Sequence, residues 1–138
     1  MSRTLSERTA ALIAISIIAL GGAGYAAQAR DAKALKNPVP ATKASAELGE
    51  GVFDRFCTRC HGDMGKGDGS QAPDGSHPAD LTDDHWDHGS TDGEIFTTIH
   101  DGVGPKYDMD SYEGKITDTD IWNIVNYIRS IGPKGSRR

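Results

Sequence analysis

The chain has only two cysteines, Cys57 and Cys60, in 138 residues, and only three methionines. No stretch alternates apolar and polar residues convincingly at period two, so nothing reads as a half-buried strand. Between Asp63 and Asp120 basic residues nearly vanish: fifteen Asp or Glu stand against three Lys. A field of that sign argues against nucleic acid as a partner. No Ser/His/Asp or Cys/His nucleophile arrangement can be assembled, and the abundant carboxylates sit in no recognisable catalytic context. The stretch Gly65-Lys66-Gly67-Asp68-Gly69 is neither G-x-G-x-x-G nor a phosphate-binding loop. It also fails as a calcium loop, because glycines occupy places that need oxygen ligands.

What is present is Cys57-Thr58-Arg59-Cys60-His61, the pattern C-x-x-C-H. Two thiols one helical turn apart can each add across a vinyl group of haem, leaving the adjoining imidazole to serve as an axial iron ligand. A zinc finger would need a histidine pair about twelve to fifteen residues on, three to five apart. His85 and His88 lie too far downstream and too close together. A thioredoxin-like dithiol needs a βαβ context that is missing around Cys57. The remaining reading, a chance C-x-x-C or a surface disulfide, leaves the adjoining histidine unexplained.

The chain divides into three parts. Residues 1–29 have a charged start (Arg3, Arg8), an apolar run from Ala10 to Leu20, and small residues leading to Ala27-Gln28-Ala29. This is the pattern of a secretory signal peptide; the same span could instead stay uncleaved as a membrane anchor. Either way the rest of the chain is expected outside the cytoplasm, periplasmic or exported, with membrane attachment only if the segment is retained. Residues 30–43 lack apolar periodicity, contain two prolines, and read as a flexible linker. Residues 44–138 form the expected haem domain, thin enough in core that the cofactor is also a structural requirement. The net charge of −5 becomes −6 without the first 29 residues. The acid predicts a soluble surface or a redox partner with a basic docking face.

Three helices are predicted, making the domain all-α. The first spans about Ser45 to Cys60, with Leu48, Val52, Phe53 and Phe56 at helical spacing. The second runs from about Asp92 to His100, behind a Thr91/Glu94 capping box and ahead of Gly102. The third runs from about Asp118 to Ile131, capped by Thr117 and Asp120 and ended by Gly132-Pro133, with Ile121, Ile124, Val125 and Ile128 as its stripe.

Together these features resemble a class I monohaem c-type cytochrome of the bacterial kind, over most of residues 44–131. The resemblance rests on Cys57-x-x-Cys60-His61-Gly62, the glycine run after it, Pro78-Ala79-Asp80-Leu81, a methionine before the last helix, and Thr117-Asp118-x-Asp120-Ile121-Trp122-x-x-Val125-x-Tyr127-Ile128. It implies a fold in which the first and last helices cross, with Gly49 and Phe53 meeting Ile124 and Tyr127. It implies one haem c held by thioethers to Cys57 and Cys60, with His61 as proximal iron ligand and Met109 as distal ligand. Pro78 takes the place of the proline whose carbonyl accepts the Nδ1–H of the proximal histidine. The family usually has proline after the distal methionine; here Asp110 stands there, and the ligand loop loses that stiffening.

His77, His85, His88 and His100 read as solvated or loop-bonding histidines, with His100 or His88 as the substitute if Met109 does not bind iron. Trp86 and Tyr112 are placed at the haem crevice, Trp86 equally as ordinary core. The function so implied is electron carriage by a His/Met-ligated haem, not catalysis. The alternatives are a haem subunit of a membrane-associated or periplasmic oxidoreductase complex, and an open-site haem sensor or enzyme.

Overall fold

The structure is a computed structural model that describes residues 31–104 and 108–133; the expected signal peptide lies outside the described residues. Among the described residues four helices follow in order: α1 Lys43–Phe56, α2 Thr58–His61, α3 Asp92–Asp101 and α4 Asp118–Ile131. Residues 31–34 add one more helical turn. No strand occurs among the described residues; the only extended pairing there is an isolated antiparallel bridge between Val103 and Met109. No helix among them is long and apolar enough to cross a membrane.

The helix starts follow from local chemistry. Thr42, Thr91 and Thr117 each accept a hydrogen bond from the backbone N–H three residues on, at Ser45, Glu94 and Asp120. At α3 the Glu94 carboxylate reaches back to the Thr91 N–H, closing the expected capping box at 2.9 Å. The first predicted helix is in fact two: the chain breaks at Cys57, whose φ of −113° lies outside regular helix, and α2 restarts one residue later.

Helices α1 and α4 cross at their closest point through Gly49. A Cβ there would lie 2.0 Å from the Asn123 carbonyl oxygen, so only glycine permits this approach. Phe53, Ile121, Ile124 and Val125 are fully buried around the crossing, and each contributes roughly 1.5–3 kcal/mol of apolar burial. Phe53 packs on Tyr127 with ring centroids 5.1 Å apart. Leu48, expected on the buried face, is 63% exposed. The crossing selects Ser45, Gly49, Val52 and Phe53, because the helix backbones meet where the smallest residue stands, and that turns Leu48 outward.

Residues 31–42, expected as part of a flexible linker, are instead docked. The Asn37 amide donates to the Trp122 carbonyl at 3.2 Å and to Asn126 Oδ1 at 3.0 Å. Asn126 is buried, and its own amide donates to the Val39 and Pro40 carbonyls and to Ser45 Oγ. Gly93 at the start of α3 makes room for the Ala32 carbonyl, which a Cβ would approach to 2.1 Å. The two prolines and the missing periodicity fit a strap held mainly by hydrogen bonds, with Val39 packed against the core. Replacing Asn126 with leucine strands several of these groups and is expected to cost about 2–4 kcal/mol. Urea unfolding gives the loss, and faster tryptic cleavage at Lys33 and Lys36 shows that the strap has come free.

Candidate haem-binding site

One cavity of about 650 Å³ lies between α1–α2, the loop after Leu81, α3 and the loop before α4. Its size falls within the roughly 300–1,000 Å³ common for small-molecule and cofactor sites. Cys57, Cys60, His61 and Met109 all line it. Apolar walls come from Phe53, Leu81, Ile95, Ile99, Ile124 and Ile128.

Both thiols are free. Cys57 is buried, and burial first, then the neighbouring Cys60 and Asp54, push its thiol up to about 12. It is therefore a neutral thiol at physiological pH, not a thiolate poised for attack or metal binding. His61 Nδ1 lies 3.1 Å from the Ala79 carbonyl oxygen. A carbonyl can only accept, so Nδ1 carries the proton and Nε2 keeps its lone pair. Burial also lowers the His61 pKa, which favours the neutral imidazole that a metal needs.

The acceptor is thus Ala79, not the Pro78 that the sequence suggested. The Pro78 carbonyl is turned instead against Gly67, where a Cβ would meet it at 2.2 Å. Gly67 has φ of +75°, and its N–H donates to the His61 carbonyl at 2.8 Å. Together with Gly65 N–H to Gly62 and Leu81 N–H to Gly65, these bonds fold the glycine run back under α2. The turn they make brings residues 78–81 to His61, one position further along than expected.

The wall opposite α1 in sequence depends on Arg129, whose role was not legible in the chain. Its side chain is only 6% exposed, and its Nε donates to Asp92 at 2.8 Å. Nη2 donates to the Ser90 carbonyl, and the guanidinium lies 5.6 Å from the ring centre of Trp86. Trp86 lines the cavity, so α4 holds the 82–91 loop in place from behind. A single arginine in an apolar helix stripe was the only sequence signal for this.

Of the other histidines, His77, His85 and His88 line the cavity. His100 is not among the lining residues: it stacks on Phe96 with ring centroids 5.5 Å apart, and its Nδ1 lies 2.6 Å from Asp101. That hydrogen bond is the largest contribution and raises its pKa; burial, next in size, lowers it, and the charges of Asp101, Glu113 and Asp118 raise it further. A raised folded-state pKa adds stability below the unfolded value, and this is lost as pH rises through the folded value. The stability gap between the wild type and His100→Gln is therefore expected to shrink as pH rises above the ordinary histidine range. Urea midpoints across that rise measure it.

Two free thiols, Cys57 buried and Cys60 partly so, beside an imidazole with a free Nε2, in a largely apolar cavity that also holds a thioether, fit haem. The fold and this site define a c-type cytochrome, the class of haem electron-transfer proteins. The chain belongs to the family described as cytochrome c oxidase, cbb3-type, subunit III, whose family model matches residues 44–128. It is 34% identical over 88 residues to the cbb3-type cytochrome c oxidase subunit FixP of Bradyrhizobium diazoefficiens, covering 63% of this chain and 28% of that one. It is 32% identical over 99 residues to subunit CcoP of Rhodobacter capsulatus, covering 67% and 31%. The chain thus spans less than a third of these relatives. Among solved structures, a chain of the Kuenenia stuttgartiensis reducing HAO-like protein complex matches with a TM-score of 0.62 at 21% identity, over 72% of this chain and 50% of that one. Cytochrome cL of Methylophaga aminisulfidivorans matches with a TM-score of 0.56 at 24% identity, over 70% and 63%. Both establish the fold.

Proposed function

We propose that this chain binds one haem c, which Cys57 and Cys60 would hold by thioethers and whose iron His61 and Met109 would ligate. We also propose that it passes single electrons between redox proteins outside the cytoplasm without turning over a substrate itself. The observation that carries this reading is that Cys57, Cys60, His61 and Met109 line one largely apolar cavity. Haem supplies the ferrous–ferric couple when bound. His61 is held for ligation by the Ala79 carbonyl, which fixes its tautomer and strengthens Nε2 as a donor. The soft thioether of Met109 favours the reduced state and raises the potential, and the surrounding isoleucines keep water from the site.

The test is acid–acetone extraction of the haem-loaded protein followed by redox titration. Pigment that stays with the polypeptide, and a reversible one-electron transition, are expected. Extractable haem contradicts the thioethers, and steady consumption of oxygen or peroxide by the isolated chain contradicts the carrier role.

The family match favours a particular setting: a haem unit within an oxidoreductase assembly, as the FixP and CcoP subunits are named. Co-purification with an oxidase from native membranes supports that setting. Recovery of the haem protein alone from the periplasmic fraction supports a freely moving carrier.

A further inference from the structure

Met109 is followed by Asp110, so its loop lacks the ring constraint that a proline gives φ. Hydrogen bonds hold it instead. The Val103 N–H donates to the Met109 carbonyl at 2.9 Å. Ser111 Oγ donates to the His100 carbonyl at 2.7 Å, and the Tyr112 and Glu113 N–H groups reach the same oxygen at 3.2 and 3.0 Å. Gly102, at φ of +77°, allows the Met109 carbonyl and the Ser111 nitrogen to approach, each 2.7 Å from where a Cβ would stand. All of these tie the loop to the end of α3.

One bond runs elsewhere. Tyr112 Oη donates to the Phe56 carbonyl at 2.8 Å, across 56 residues of sequence. Phe56 ends α1 and directly precedes Cys57, and the last carbonyls of a helix lack partners of their own. The two rings meet edge to face, with centroids 6.3 Å apart at 80°, and both line the cavity. The loop that carries Met109 is thereby fastened to the segment that carries Cys57, Cys60 and His61.

We infer that Tyr112 is a positioning residue for Met109: its phenol fastens the distal-ligand loop to the C-x-x-C-H segment and stiffens it in the absence of a proline. The inference rests on Met109 as the distal ligand. The backbone bonds to α3 fix the loop's path, while the phenol fixes its distance from the proximal side. Tyr112→Phe removes that link and keeps the ring packing.

The experiment compares the full haem-loaded chain with Tyr112→Phe and Met109→Leu. It reads the far-red thioether-to-ferric-iron band and the rate at which the ferrous protein takes up CO, with far-UV circular dichroism to confirm an unchanged helix content. The wild type is expected to show the band and to resist CO. Tyr112→Phe is expected to weaken the band and take up CO about 10-fold faster, and Met109→Leu to lose the band altogether. A Tyr112→Phe protein matching the wild type in both readouts overturns the positioning role and leaves Met109 standing. A wild type without the band, taking up CO as fast as Met109→Leu, overturns the ligand assignment and the inference with it.

Discussion

With Gly49 replaced by valine, the chain is expected to lose a large share of its stability, because helices α1 and α4 can no longer meet. A Cβ at this position would stand 2.0 Å from the Asn123 oxygen, 2.4 Å from its carbonyl carbon and 2.9 Å from the Ile124 nitrogen. All three are backbone atoms of α4, so no side chain can swing aside. Helix α4 would have to withdraw from α1, uncovering Phe53, Ile124 and Val125, which are almost fully buried. Overpacking commonly costs about 1–3 kcal/mol and occasionally more. A clash between two backbones belongs at or above the upper end, against a total stability of roughly 5–15 kcal/mol. Gly51 on the same helix is the control, since nothing lies within 4 Å of a Cβ there. Gly51→Ala is expected to stabilise the chain by about 0.5–1 kcal/mol. Urea midpoints should move in opposite directions for the two variants; a Gly49→Val protein with a wild-type midpoint contradicts the crossing.

His61→Ala is expected to have the largest effect on the haem itself. It removes the Nε2 donor while leaving the Ala79 carbonyl without its N–H, and no neighbouring residue on α2 can replace an imidazole. Loss of an outer partner of a metal ligand typically costs roughly 10–100-fold in affinity or activity; loss of the ligand should exceed that. Haem-loaded yield and the rate of reduction by an external donor should both collapse, whereas Met109→Leu should retain pigment with an altered spectrum. A His61→Ala protein that keeps a low-spin spectrum contradicts the assignment.

The parts of this molecule legible in its sequence are those written locally. Capping at Thr91 and Thr117 depends on a residue three positions away, and the α4 stripe on spacing within one helix, so both α3 and α4 were recognisable from the chain. The C-x-x-C-H residues likewise sit within and just before one short helix, and Cys57, Cys60 and His61 line one cavity. What could not be read off depends on distant contacts. The spacing of apolar residues predicts Leu48 inward, while a glycine decides which face of α1 meets α4. The strap looked free because its partners, Trp122 and Asn126, lie over eighty residues away. Pro78 and Ala79 differ by one residue, and which carbonyl faces His61 follows from the turn at Gly67. Arg129 and Tyr112 carry no motif; only the fold reveals that one braces the Trp86 wall and the other reaches Phe56.

The visible spectrum of the haem-loaded chain, oxidised and reduced, before and after CO, tests the pairing of His61 with Met109 most directly. A low-spin spectrum with the far-red thioether band, indifferent to CO when reduced, is the predicted result. A high-spin spectrum that shifts promptly with CO would contradict it, and would mark an open site suited to ligand binding or catalysis instead of electron transfer.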